Sequence, residues 1–120
     1  MQKEGKLQQC SIDFSIKLIE LHERINGKSF LKNQLARSGT SIGANIHEAG
    51  YAESPEDFIH KLSVALKECN ETEYWLTILA SACTQLAPES VSLKRDAGSI
   101  RRMLISSITT VKQRHAVKKH

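Results

Sequence analysis

Apolar residues recur every three or four positions along four stretches of this 120-residue chain, and polar or turn-forming segments separate the stretches. Such spacing places apolar side chains on one face of a helix, and the strict alternation of a half-buried strand is absent from the sequence. The helices are predicted at about residues 11–24, 30–49, 55–83 and 90–114, with a basic tail at 115–120. Because short connections join antiparallel neighbours, the sequence predicts one all-α domain, an antiparallel up-down-up-down four-helix bundle.

Local signals mark several helix ends. Gly27 follows the first helix, at a position where glycine commonly ends helices. Ser54, Pro55 and Asp57 predict the start of the third helix, as N-cap, first helical residue and partner in a capping box. Ser90 is predicted to cap the fourth helix.

The second helix carries weak helix formers through its middle, in the segment "ARSGTSIGANIHEAG" at residues 36–50. At 100° per residue, Ser38 and Asn45 share the sector of the apolar residues and should point into the bundle. Gly39 and Gly43 lie one turn apart on a flank of that sector. They predict a flat strip where another helix backbone can approach closely.

A buried amide without partners costs on the order of 1–3 kcal/mol, so Asn45 is expected to be buried and hydrogen-bonded to the third helix. We predict a layer of polar side chains between the second and third helices, in which Arg37 balances a carboxylate. These small and polar residues either only fix helix packing or also line a ligand pocket. The predicted layer consists of Arg37, Ser38, Ser41, Asn45, Glu48, Glu68, Thr72 and Glu73.

The first and third helices each show a second apolar stripe behind the one that faces the core. A helix of a monomeric bundle buries one stripe, so a second stripe predicts a contact with another protein, most simply a second copy. The alternative is one broad core that takes in both stripes. The predicted oligomer interface consists of Ile12, Ile16, Ile19, Val64, Glu71, Trp75 and Ile78.

Charge is spread unevenly along the chain. Residues from Lys94 onwards include eight Lys or Arg and one acid, whereas residues 1–93 include nine Lys or Arg and twelve acids. A basic helix flank of this kind predicts contact with the phosphates of RNA or DNA without reading of bases. A solvated helix face is the alternative. The candidate residues are Lys94, Arg95, Arg101, Arg102, Lys112, Arg114, Lys118 and Lys119.

No chemistry of catalysis is evident in the sequence. A di-metal site in a bundle needs two Glu-x-x-His-type pairs, and Asp57 with His60 is the only acid-x-x-His match. We therefore expect no metal, no cofactor and no enzymatic activity. Three widely spaced cysteines, without a signal peptide or an apolar run long enough to span a membrane, predict a reduced cytoplasmic protein.

The segments "QLARSGTSIGANIHEA" and "DFIHKLSVALKECNETEYWL" resemble a bacterial family of four-helix bundles named for open reading frames in intervening sequences of 23S ribosomal RNA genes. The first segment supplies the family's R-S-x-x-S-I-x-x-N-I-x-E pattern, and the second supplies its F-x-x-x-L-x-x-A-L-x-E and E-T-x-Y-W-L patterns. The matching residues are Arg37, Ser38, Ser41, Ile42, Asn45, Ile46, Glu48, Phe58, Leu62, Ala65, Leu66, Glu68, Glu71, Thr72, Tyr74, Trp75 and Leu76.

The resemblance implies an antiparallel four-helix bundle that assembles as a ring-shaped homopentamer and has no enzymatic activity. Relatives include the accessory variability determinant of diversity-generating retroelements, a basic bundle that binds nucleic acid and a reverse transcriptase. The implied partners are a second copy of the chain, RNA or DNA, and a reverse transcriptase or ribosomal component.

Together these observations predict a non-enzymatic, oligomeric bundle that serves as an RNA- or DNA-associated scaffold through its fourth helix and tail. The alternative is a protein–protein interaction module with no nucleic-acid role. Binding to generic RNA that depends steeply on salt distinguishes the first function from the second.

Overall fold

A computed structural model describes residues 2–119 of the chain, with side chains described for residues 5–116. Four α-helices account for most of this range, and no strand is present within it. A 3-10 turn at Thr84–Leu86 leads into the last helix. The helices are α1 (Gln2–Glu23), α2 (Ser29–Ala49), α3 (Pro55–Ala82) and α4 (Ala87–Lys119).

Neighbouring helices pair their residues in reverse order, as antiparallel helices do. Between α2 and α3, Arg37 contacts Glu68, and Glu48, later in α2, contacts Lys61, earlier in α3. Between α3 and α4 the same reverse order holds for the pairs Glu73–Arg101 and Glu56–His115. Between α1 and α4 it holds for the pairs Lys17–Asp96 and Arg24–Glu89. The predicted all-α bundle is therefore confirmed.

The apolar stripes of the four helices meet in one core that runs along a molecule of 54 × 22 × 20 Å. Helix α3 packs most extensively, against α2 and α4, whereas α1 makes smaller contacts with α2 and α4. The largest fully buried side chains are Leu7, Phe14, Leu18, Ile25, Leu35, Ile42, Ile46, Leu62, Leu76, Leu79, Ile100 and Leu104.

Helix α3 begins where the sequence predicts. The Ser54 hydroxyl accepts a hydrogen bond from the backbone N–H of Asp57 at 3.1 Å, and Pro55 is the first helical residue. The Asp57 carboxylate accepts from the backbone N–H of Glu53 at 3.3 Å. Two otherwise unpaired donors at the helix start are thereby satisfied.

Helix α1 starts well before the predicted residue 11, at Gln2. Leu7 is buried and lies one turn before Ser11 on the core-facing side, so it continues the stripe formed by Phe14 and Leu18. The prediction was too short because one isolated leucine among polar residues gives little periodicity.

Helix α4 differs from the prediction at both ends. It begins at Ala87, and Ser90 is an interior residue rather than a cap, buried and donating its hydroxyl to the carbonyl of Leu86 at 2.8 Å. The 3-10 turn runs directly into the helix, which leaves no extended residue for a cap. At the other end the helix continues to Lys119, through most of the segment predicted as a tail.

Candidate interaction surfaces

One buried polar contact joins α2 to α3. The hydroxyls of Ser38 and Thr72, both fully buried, lie 3.0 Å apart. Each hydroxyl also reaches a carbonyl one turn back in its own helix, Ser38 that of Gln34 at 2.9 Å and Thr72 that of Glu68 at 2.7 Å. Because each hydroxyl has a single proton, the contact between helices competes with these local bonds. A buried polar contact of this kind favours one axial register of α2 and α3.

Asn45 does not make the expected bond to α3. It is half-buried, and its Nδ2 donates to the carbonyl of Ser41 at 2.9 Å, within α2. Ser41 in turn donates its hydroxyl to the carbonyl of Arg37 at 2.7 Å. Polar side chains of this length can satisfy themselves on the preceding turn, so Asn45 at the edge of the core needs no partner on another helix.

Glu73 lies outside the predicted layer because it is on the opposite flank of α3, facing α4. There its Oε2 accepts from Nε of Arg101 at 2.9 Å, and both side chains are half-buried. The Arg101 guanidinium is therefore paired with a carboxylate in this structure, and its predicted contact with phosphates stays a prediction.

The outer edge of the α2–α3 contact is a charged network around Arg37. The guanidinium pairs with Glu71 and with Glu68, the latter at 3.2 Å, and it also donates to Gln34 at 3.0 Å. The indole N–H of Trp75 donates to the Glu71 carboxylate at 3.0 Å. Next to the last residue of α2, Glu48 forms a further pair with Lys61 at 3.3 Å.

Beside this network, four side chains form a projecting patch that we call the aromatic surface: Phe30, Tyr74, Trp75 and Ile78. The Trp75 ring packs edge-on against Phe30 and Tyr74, with centroid distances of 5.8 and 5.0 Å. Phe30 and Tyr74 are nevertheless 68% and 57% exposed. Val64, predicted for the same interface, is half-buried on the flank of α3 two to three turns away.

Isoleucines of α1 form a second apolar surface, next to α2. Ile12, Ile16 and Ile19 are 53%, 53% and 51% exposed. Together with Gly43 and Ala44 of α2 they line a groove of about 220 Å³, which we call the isoleucine groove. The residues predicted as one oligomer interface therefore lie on two different surfaces, one between α1 and α2 and the other between α2 and α3.

Helix α4 carries five exposed cations that we call the basic surface: Lys94, Arg95, Arg102 and Lys112 on sides away from Asp96, and Arg114 five turns after Asp96 and in line with it. Among the side chains of residues 5–116, none of the five forms an ion pair. Lys118 and Lys119, also predicted for this role, have side chains outside the described residues. Five of the eight residues that are predicted to contact phosphates are thus exposed on α4.

Both acids of α4 face α1 instead of the basic surface. Asp96 lies 3.4 Å from the Lys17 ammonium, and Glu89 pairs with Arg24. The hydrogen bond from Arg24 holds the pKa of the Glu89 carboxyl below its ordinary value. These pairs span a groove of about 400 Å³ between α1 and α4, over Leu21 and Leu93. Sequence reasoning missed this groove, because partners 65 and 79 residues apart leave no local signal.

The described side chains offer no evident catalytic group. Among residues 5–116, no three or more His, Cys, Asp or Glu side chains are grouped so that they could hold a metal ion. Burial raises the pKa of Cys69 to about 12, and its thiol donates to the carbonyl of Ala97 at 3.1 Å. A thiol with this pKa is protonated near neutral pH and is a poor nucleophile.

Within residues 2–119, every helix is too short or too polar to cross a membrane.

These features define a class of protein: a helical bundle that exposes two apolar surfaces and one basic surface. Residues 3–106 match the family described as 23S rRNA-intervening sequence protein, and the chain belongs to this family. The fold and the family predicted from the sequence are thus confirmed.

A similar solved structure is the 1.70 Å crystal structure of a protein with unknown function from the S23 ribosomal protein family, from Bacteroides thetaiotaomicron VPI-5482. That protein is 39% identical in sequence and superimposes with a TM-score of 0.82. The alignment covers 89% of this chain and 98% of the other. Among proteins with curated functions, none matches the chain significantly.

Proposed function

We propose that this protein is a non-enzymatic, self-associating bundle that binds RNA or DNA through its basic surface on α4. The observation that carries the proposal is the division of charge on this helix. Its two acids are both turned towards α1 and paired there, while the five cations of the basic surface remain exposed. Phosphates approaching the outer side of α4 therefore meet uncompensated positive charge.

The geometry favours contact with the phosphate backbone over reading of bases. From Lys94 to Arg114 the helix extends about 30 Å at 1.5 Å per residue, a distance that several phosphates span. Helix α4 contains no Phe, Tyr or Trp on which an unstacked base could lie. Binding is therefore expected to tolerate differences of sequence.

Self-association would multiply these contacts. Each copy adds one basic helix, and weak sites on linked copies combine through their effective concentration. The exposed isoleucines and aromatic rings support self-association, since a monomer rarely exposes several large apolar side chains together. A homopentamer, a reverse transcriptase partner and a ribosomal component stay predictions from the family resemblance. Three free cysteines support a cytoplasmic location.

The test compares two triple variants that lose the same charge. Arg95→Gln, Arg102→Gln and Arg114→Gln remove charge from the basic surface, while Lys6→Gln, Lys17→Gln and Lys32→Gln remove the same charge from α1 and α2. The measurement is fluorescence anisotropy of a short single-stranded RNA of mixed sequence over a series of salt concentrations. Loss of three phosphate contacts should lower the slope of log K against log salt by about 2.

The control variant should keep most of the wild-type slope. Equal losses in both triple variants would mean that net charge alone, and not the surface of α4, attracts RNA. Absence of wild-type binding at low salt would reject the proposal and favour the second candidate.

That second candidate is a protein–protein interaction module with no nucleic-acid role. It is favoured by the composition of the aromatic surface, where Trp75, Tyr74 and the nearby Arg37 are of the residue types that dominate binding energy at protein interfaces.

A further inference from the structure

Two neighbouring arginines of α4 turn their guanidinium groups towards one point. A Cβ atom added to Gly98 would lie 3.5 Å from Nη2 of Arg101 and 3.7 Å from Nη1 of Arg102. Successive residues of a helix point about 100° apart, so two adjacent side chains meet only if both bend back over the preceding turn. Gly98 lies on that turn, and it has no side chain to separate the two groups. The result is a pair of like charges side by side on α4.

Both guanidinium groups are held in place by other side chains. Nε of Arg101 donates to the Glu73 carboxylate of α3 at 2.9 Å. Nη2 of Arg102 donates to the hydroxyl of Ser99 at 3.3 Å, and that hydroxyl donates to the carbonyl of Arg95 at 3.4 Å. Among the described side chains, Nη2 of Arg101 and Nη1 of Arg102 donate to no other group of the protein. These two nitrogens are therefore positioned near each other and are available to a ligand.

An anion with several oxygens is the ligand that this pair suits. Two guanidinium charges face one carboxylate, that of Glu73, so an excess of positive charge remains. A guanidinium presents its N–H donors in a planar fork, and phosphate oxygens accept from two such donors at once. We propose that Arg101 and Arg102 form a clamp for one phosphate group of an RNA or DNA strand. This clamp, which rests on the proposed binding of nucleic acid, is the place where α4 holds the strand most firmly.

The position of the clamp favours a phosphate within a strand over one at its end. Lys94, Gly98 and Arg102 follow one another at intervals of four residues, so they lie on one side of α4. Lys112 lies on this side too, beyond the clamp, and both lysines are exposed. Asp96 lies on the opposite side of the helix. A strand held at the clamp therefore meets exposed cations in both directions along α4.

The first experiment removes the group that holds Arg101. Attraction between charges alone predicts that loss of an acid strengthens the binding of RNA. Because the clamp needs a positioned guanidinium, Glu73→Ala should instead weaken binding by roughly two- to tenfold, the usual cost of ordering one more long side chain. Glu73→Gln keeps an oxygen that accepts from Nε of Arg101, so it should bind at least as tightly as wild type.

The measurement is fluorescence anisotropy of a single-stranded RNA of mixed sequence at one low salt concentration. Circular dichroism shows whether each variant keeps the helicity of wild type. Unchanged or tighter binding by Glu73→Ala would overturn the clamp.

The second experiment keeps every charge and leaves the contact between α3 and α4 intact. Arg102→Lys replaces the fork of donors by a single ammonium group and should weaken RNA binding by roughly tenfold. Arg95→Lys is the matched control at another exposed arginine of the basic surface, and it should weaken binding by at most about threefold. Equal losses would mean that the arginines act as independent charges. The clamp would then be rejected, while binding to the basic surface would stand.

Two further outcomes identify the source of the phosphate and separate the two proposals. RNA with a terminal phosphate and RNA with a terminal hydroxyl should bind wild type equally, as expected for a clamp on a phosphate within the strand. A preference for the terminal phosphate that is lost in Arg102→Lys would show recognition of strand ends and contradict the clamp as proposed. Absence of wild-type binding to either RNA would reject the nucleic-acid function, and the clamp with it.

Discussion

Helix α1 is held by its two neighbours in different ways. Towards α2 the Leu18 side chain packs so closely on Gly39 that a Cβ atom added to this glycine would lie 2.1 Å from Cδ2 of Leu18. Towards α4 the helices leave a groove of about 400 Å³, which is spanned by the pairs Lys17–Asp96 and Arg24–Glu89.

The difference shows two solutions to the same problem of joining antiparallel helices. Small residues allow close packing, which depends on one residue type at one position. Long charged side chains bridge a wide gap and tolerate changes in the distance between helices, but water and salt weaken them. We therefore expect the α1–α2 contact to be sensitive to single methyl groups, and the α1–α4 contact to be sensitive to pH and salt.

The largest effect is expected at the close contact. Gly39→Ala should lower the free energy of unfolding by up to about 2 kcal/mol, because an overpacking cost of about 1–3 kcal/mol is offset in part by a gain in helix propensity of about 1 kcal/mol. Leu18 is buried and its methyl group has little room to move. Urea denaturation followed by circular dichroism measures the change.

Gly43→Ala is the matched control. Its added Cβ would lie 3.3 Å from the Ser15 hydroxyl, which can rotate away, so stability should stay the same or rise by up to about 1 kcal/mol. Equal destabilisation by the two alanines would contradict the idea that Leu18 determines the spacing of α1 and α2.

A smaller effect is expected across the α1–α4 groove. Lys17→Met removes the pair with Asp96 and should lower the free energy of unfolding by at most about 0.5 kcal/mol, as is typical of exposed ion pairs. The difference from wild type should shrink further in molar salt, where the Debye length falls to about 3 Å. A loss as large as that of Gly39→Ala would show that the groove, too, depends on specific contacts.

A comparably small effect is expected for Arg24, and it should appear as a pH dependence. The Arg24 hydrogen bond holds the pKa of Glu89 below its ordinary value of 4.5. The resulting stabilisation is present above the ordinary pKa and is lost as the pH falls through the lower folded-state pKa. Arg24→Gln should therefore be less stable than wild type at pH 6, and the two proteins should converge as the pH falls through the folded-state pKa of Glu89. Parallel curves across this range would mean that the pair contributes nothing to folding.

The sequence determined the features that depend on neighbours along the chain. Four apolar stripes of helical period, the Ser54 cap and the exposed second stripe at Ile12, Ile16 and Ile19 all follow from local spacing. The reason is geometric, since the helix repeat alone decides which side of its own helix a residue occupies.

Only the tertiary structure decided which neighbouring helix packs against each flank of a helix, and how far apart the two helices lie. The sequence placed Glu73 beside the core face of α3, but the position of α4 made Arg101 its partner. Asn45 was expected to need a bond to α3, but it lies at the edge of the core and is satisfied by Ser41. Partners of long polar side chains depend on axial register and on the spacing between helices. These are properties of the packed bundle as a whole, because they are set by how all four apolar stripes interlock at once.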